Sequence, residues 1–104
     1  MKVYGSKICI DCRNFKHICE LRGLSVDSVD ITENTKNLKE YMLLRDTDPF
    51  FDDIKKAKKL GIPLFMNDDG TLTTNPDEAL AWIGQPPVRD EEIAERRFAC
   101  ESCS

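Results

Sequence analysis

The sequence predicts a mixed α/β domain: a four-stranded mixed sheet in the order β-α-β-α-β-β-α, with helices on both faces and a helical C-terminal tail. Three observations predict it. Short β-prone runs alternate with stretches whose apolar residues recur at helical spacing. Proline and glycine punctuate the junctions. A chain of 104 residues with 40% apolar and 33% charged content holds one core and no more.

Lys2-Val3-Tyr4-Gly5 is the first β-prone run, and it stops at Ser6-Lys7. From there Cys12, Phe15, Ile18 and Cys19 fall on one helical stripe, with Gly23 as terminator after Arg22. Ser25 to Ile31 alternates around Val26 and reads as a strand, interrupted only at Val29. Asn37 to Arg45 sets Leu38, Tyr41, Met42 and Leu44 at helical spacing. Asp48-Pro49 announces another helix, an N-cap followed by proline at the first helical position. It carries Phe50, Phe51, Ile54, Ala57 and Leu60 to a stop at Gly61. Asp48, Asp52 and Asp53 precede Lys55, Lys56, Lys58 and Lys59, the polarity that a helix dipole favours. The basic cluster therefore reads as a solvated face, not a binding patch.

Ile62 to Met66 is an apolar run expected as a buried strand, and Thr71 to Thr74 pairs back across the turn at Asn67 to Gly70. Asn75-Pro76-Asp77-Glu78 supplies N-cap, proline and capping-box glutamate for a helix. That helix buries Ala79, Leu80, Trp82 and Ile83 and ends at Gly84. Gln85-Pro86-Pro87 breaks the chain, and Asp90 to Ala99 reads as a final charged helix. The division is a domain over 1–84 and an extension over 85–104.

A net charge of −4 and a pI near 5.0 disfavour nucleic-acid binding, which depends on neutralising phosphates. No apolar run approaches the ~20 residues that span a bilayer. Met1 to Gly5 lacks the apolar stretch and cleavage site of a secretory signal. The expectation is a cytoplasmic domain with neither nucleic-acid nor membrane partners.

Five cysteines are the informative count, because four of them form two Cys-x-x-Cys pairs, Cys9/Cys12 and Cys100/Cys103. In a reducing compartment such pairs mean redox chemistry or a metal. Cys9 falls where the first strand has ended and the first helix begins. The unpaired N–H groups and partial positive charge of a helix N-terminus stabilise a thiolate, the form that attacks disulfides. Cys12 sits one turn deeper, placed to resolve a mixed disulfide on Cys9. Lys7 and Arg13 add positive potential, and Asp11 opposes it. Cys19 reads as a small buried hydrophobe, His17 as solvent-facing, and Trp82, Phe50 and Phe51 as core.

Tyr4 to Cys12, then Gly61-Ile62-Pro63 before a strand, then Asp69-Gly70, resembles the glutaredoxin-like proteins of the thioredoxin superfamily over residues 1–84. The resemblance implies a thioredoxin-like fold, Cys9 and Cys12 as catalytic residues, and a cis Pro63 opposite them. It implies that Ile62 and Pro63 position substrate, with its extended backbone pairing to Ile62 as in strand addition. Asp77 matches the acidic position that holds the γ-glutamyl end of glutathione, and Lys7 stands one place beyond the family's glutathione-contacting lysine. The motif interior Ile10-Asp11, Gly61 before Ile62, and Thr73-Thr74-Asn75-Pro76 in place of a double glycine depart from the family pattern. Dithiol chemistry carries over; glutathione specificity does not.

The implied activity is thiol-disulfide exchange on protein or low-molecular-weight disulfides. No cofactor or metal is expected, and glutathione or a thioredoxin reductase is the implied reductant. The competing class is a metal or iron–sulfur module using Cys9, Cys12, Cys100 and Cys103. Compact zinc modules, however, separate their cysteine pairs by about 15–20 residues, and here most of the chain intervenes. A third reading, a binding adaptor with an idle site, conflicts with the intact Cys9 and Cys12. Finally, a tail that reverses at Pro86-Pro87 climbs back towards Cys9. That makes Cys100 and Cys103 a candidate second redox pair, with a frayed terminus as the alternative.

Overall fold

A computed structural model describes residues 1–95 of the chain. Strand β1 (Lys2–Gly5) leads into helix α1 (Ile10–Arg22), and β2 (Asp27–Asp30) follows. Helix α2 (Thr35–Thr47), a 3-10 turn (Pro49–Phe51) and the short α3 (Asp52–Lys56) come next. Strands β3 (Leu64–Met66) and β4 (Leu72–Thr73) precede α4 (Pro76–Trp82), and a second 3-10 turn spans Asp90–Glu92. The sheet order is β2-β1-β3-β4. Strand β1 is parallel to β2 and antiparallel to β3, and β4 pairs antiparallel with β3. The expected four-stranded mixed sheet is therefore present.

Alternation along the central strands assigns the helices to faces, since neighbouring side chains leave opposite sides of a strand. Val3 and Phe65 cluster with Phe15 and Cys19 of α1 and with Ala79 and Leu80 of α4. Tyr4 and Leu64 cluster instead with Tyr41 of α2 and with Phe51. Phe51, Leu64, Phe65 and Leu80 are fully buried, and each contributes about 1.5–3 kcal/mol relative to exposure. Phe15 and Phe65 meet edge-on at 4.7 Å between centroids, which locks α1 onto the sheet.

Three helices end in the same way. Gly23, Lys58 and Gly84 each adopt a left-handed conformation. Behind each of them, the following N–H reaches back to a carbonyl five residues earlier: Leu24 to Cys19, Lys59 to Ile54 and Gln85 to Leu80. The sequence marks two of these stops with glycine and conceals the third under a lysine. That corrects the helix expected from Asp48 to Gly61, which is a 3-10 turn and five α-helical residues ending at Lys56. Residues past Lys58 are drawn towards α2, where Arg45 donates to the Lys59 carbonyl at 2.9 Å and the Tyr41 hydroxyl to that of Leu60. Leu60 is consequently exposed, as are Phe50, Leu38 and Met42, while Phe51 and Tyr41 carry the burial.

Two further expectations are corrected at the C-terminal side. Ile83 is exposed and Trp82 only partly buried, because α4 turns out of helical geometry at Ile83. Glu78 does not reach back to the Asn75 N–H. The Thr73 hydroxyl stands between them, accepting from Asn75 N–H at 3.1 Å and donating to Glu78 at 2.7 Å. Over residues 90–95, the described part of the helix expected from Asp90 to Ala99, there is a single 3-10 turn, with Ile93 already extended. The Glu92 carboxylate caps the start of that turn by accepting the Arg89 N–H, and Arg22 ties it to α1. Residues 96–99 of that expected helix lie outside the described residues. Among the described residues no helix is long and apolar enough to cross a membrane.

Candidate active site

The loop from β1 to α1 is held by a relay of hydroxyls. Ser6 is buried, and its Oγ accepts the Ile8 N–H at 3.2 Å while lying 2.8 Å from Thr32 Oγ1. Thr32 gives its own proton to Asp30 at 2.7 Å, so Ser6 is the donor to Thr32. The Thr32 hydroxyl foremost, and then the backbone N–H groups of Thr32 and Lys7, hold the Asp30 carboxyl below its ordinary range. The parallel pairing of β1 with β2 brings these residues together across the sheet.

Cys9 is the N-cap of α1, with extended backbone angles and its carbonyl accepting the Arg13 N–H at 3.0 Å. It is buried, at 4% exposure, in the cluster that contains Tyr4 and Ile62. Cys12, one turn along, is partly exposed and packs against the same cluster. The neighbouring Cys9 thiol first, and then burial, push the Cys12 pKa up, against the opposing pull of the Ser6 backbone. A Cβ added at Gly5 would stand 3.0 Å from Cys12 Sγ, so the strand end is shaped to admit that sulfur. Cys12 and Cys19 carry thiols outside any disulfide. Cys19 is buried beside Phe15, as expected, and burial raises its pKa.

The Ile62–Pro63 peptide bond is cis, as the resemblance implies. Ile62 and Pro63 are both buried at the start of β3. With Asp11, Asn14 and Asp77 they line a groove of about 610 Å³. Lys7 is not part of that groove; it opens on a second one, of about 630 Å³, together with Cys12 and Arg13. Asp77 is already engaged, since its Oδ1 accepts the Val88 N–H at 2.9 Å. The structure thus gathers Ile62, Pro63, Asp77 and Asp11 in a groove that neither cysteine lines, and places Lys7 with Cys12 in the other. Cys100 and Cys103 lie outside the described residues, and with them the four-cysteine metal alternative.

Sequence reasoning missed Gly5, Ser6 and Thr32. Glycine at a strand end beside a functional cysteine is a recognisable sign of close approach. Ser6 and Thr32 are far apart in the chain, and only the strand register joins them.

Fold and site define a mixed α/β protein with a cysteine pair on the first turn of a helix and a cis proline at the start of the central hairpin. No family model matches the chain, and no solved structure matches it. A Haemophilus influenzae protein described as uncharacterized is 31% identical over 70 residues, 67% of this chain and 81% of that protein. The chain belongs to the same family as that protein.

Proposed function

We propose that the chain is a dithiol thiol-disulfide oxidoreductase of glutaredoxin-like type on a thioredoxin-like fold, acting on protein or low-molecular-weight disulfides. The observation that carries the reading is the placement of Cys9 as the N-cap of α1, with Cys12 one turn along, in the cluster that also holds Ile62 of the cis Ile62–Pro63 bond. It divides the labour between two otherwise similar thiols. Cys12, whose pKa is raised, keeps its proton, while the helix N-terminus favours the anion at Cys9. Cys9 is then the nucleophile and Cys12 the resolver.

The exchange proceeds in two displacements. The Cys9 thiolate attacks one sulfur of the substrate disulfide, forming a mixed disulfide and releasing one substrate thiolate. Cys12 then loses its proton and attacks Cys9 Sγ, which releases the second thiolate and leaves Cys9–Cys12 oxidised. Two electrons pass to substrate, and an external thiol must return them. The cis bond and the burial of Pro63 support Ile62 and Pro63 as the substrate-positioning edge beside Asp11. Asp77 and Lys7 support no shared glutathione site, because Val88 occupies the former and the latter faces the other groove.

The test is reduction of hydroxyethyl disulfide with dithiothreitol as reductant. Cys9→Ser is expected to abolish turnover, and Cys12→Ser to accumulate a mixed disulfide visible by mass. Equal turnover by wild type and Cys9→Ser would overturn the assignment.

A further inference from the structure

Past Gln85 the chain runs along α1 from its last turn towards its first. Arg22, in the last turn, donates to the carbonyls of Pro86 and Pro87 at 2.8 and 2.9 Å and grips both carboxylate oxygens of Glu92 at 2.7 and 2.6 Å. Glu95 is held at the opposite end. Arg13 donates to both of its carboxylate oxygens at 2.7 and 2.9 Å. Asn14 donates to its carbonyl and accepts its N–H, each at 2.9 Å. Bidentate pairs of guanidinium and carboxylate are the strong, directional kind, so residues 85–95 form a strap fixed at both ends.

The strap is a wall of the groove that holds Ile62 and Pro63. Its Val88 and Ile93, both partly exposed, line that groove. Asp77 accepts the Val88 N–H at 2.9 Å and fixes that part of the wall. Charge along the lining is unequal: among the described residues, Asp11, Asp53 and Asp77 stand against Lys59. Neither cysteine lines the groove, yet it begins beside them. Asp11 lies between Cys9 and Cys12 in the chain, and Ile62 packs in one cluster with Cys9. A disulfide that reacts at Cys9 therefore has room, in about 610 Å³, for the chain flanking its sulfur.

We propose that the strap and the carboxylates of this groove select the substrate, a disulfide-bearing polypeptide whose segment beside the cysteine is extended, apolar and basic. The inference rests on the oxidoreductase reading above and names the substrate class of that site. An apolar side chain of the segment packs against Val88 and Ile93, and affinity comes from the water that leaves both surfaces. A lysine or arginine of the segment faces Asp11, Asp53 and Asp77. A cleft lined mainly by charge of one sign concentrates the opposite sign and repels its own. Small anionic disulfides are disfavoured there on both counts. Val88 and Ile93 are then specificity-determining residues contributed from outside the 1–84 domain.

The test uses the full chain with dithiothreitol as reductant and a pair of pentapeptides. Each has a central cysteine in mixed disulfide with 2-mercaptoethanol and leucine at both ends. One carries arginine on either side of the cysteine, the other glutamate. Rates are corrected for reduction by dithiothreitol alone and expressed relative to hydroxyethyl disulfide. At low ionic strength kcat/KM for the arginine peptide should exceed that for the glutamate peptide by about tenfold, and the gap should narrow in concentrated salt. Asp53→Lys, on an exposed turn of α3, should shrink the preference severalfold. Ile93→Ala should lower the relative kcat/KM of both peptides alike. The proposal is overturned by equal kcat/KM for the two peptides, by a preference that Asp53→Lys leaves undiminished, or by unchanged peptide rates in Ile93→Ala. Failure to reduce hydroxyethyl disulfide and both peptides would instead overturn the oxidoreductase reading itself.

Discussion

Cys9 exposes 4% of its surface whereas Cys12 is partly open, so access to the pair is set by side chains at its rim. Asp11, next to Cys12 in the chain, lines the groove with Ile62 and Pro63. Its carboxylate is also one of the smaller influences raising the Cys12 pKa. Removing a negative charge near a thiol lowers the cost of the thiolate. Asp11→Asn is therefore expected to shift the alkylation midpoint of the pair to lower pH, and a shift to higher pH would show that the charge is not felt there. Gly5→Ala tests a different property of the same site. Its methyl group would crowd Cys12 Sγ at 3.0 Å, so the sulfur must move or the strand end must give. The expected outcome is a folded protein in which the mixed disulfide on Cys9 persists longer, read by mass after rapid quenching.

At the scale of elements, the left-handed lysine at the end of α3 is open to improvement. A non-glycine residue in that region carries a penalty of roughly 1–2 kcal/mol, which glycine avoids. Lys58→Gly should then raise the denaturant midpoint by an amount equivalent to about 1 kcal/mol, with no change of fold. The converse holds at Gly61, where φ is 84° and a Cβ would stand 2.8 Å from the Tyr41 hydroxyl. Gly61→Ala should destabilise the chain by more than ~1 kcal/mol. These two positions also show how far the sequence can be read. Element order, the sheet and the places of Cys9 and Pro63 follow from periodicity, caps and motif, because those signals are local. The stop at Lys58 does not, since nothing in a lysine announces a left-handed backbone. The exposure of Leu38 and Met42 escapes in the same way: helical spacing identifies a stripe, and only the placement of α2 shows that Tyr41, with Leu44 beside it, fills the contact. The segment after Pro87 was misread because acidic and basic residues at helical density resemble a solvated helix. Here Glu92 and Glu95 instead reach Arg22 and Arg13 of α1.

For the molecule as a whole, the 85–95 strap depends on carboxylates, and its attachment is accordingly a function of pH. The Arg22 guanidinium, and then the Arg89 backbone N–H, bring the Glu92 pKa down from 4.5 to about 2. Arg13 lowers that of Glu95 in the same sense. A carboxyl whose pKa is lowered by docking stabilises the docked form fully above its free value. That contribution declines below about 4.5 and is gone once the pH has fallen through the docked value near 2. Trp82 is a built-in reporter, because it packs in the same cluster as Val88 of the strap. Its fluorescence should hold steady from neutral pH to about 4.5 and change progressively below it. Arg22→Gln removes the charge that dominates the shift, so Glu92 would titrate closer to its ordinary range. The acid transition of Trp82 in that variant should move to higher pH, whereas an Arg13→Gln change, acting on exposed Glu95 at the far end, should leave it nearly in place. A Trp82 transition at the same pH in wild type and Arg22→Gln would mean that the strap is held by Val88 and its apolar neighbours, and that the buried pair between Arg22 and Glu92 does not govern its release.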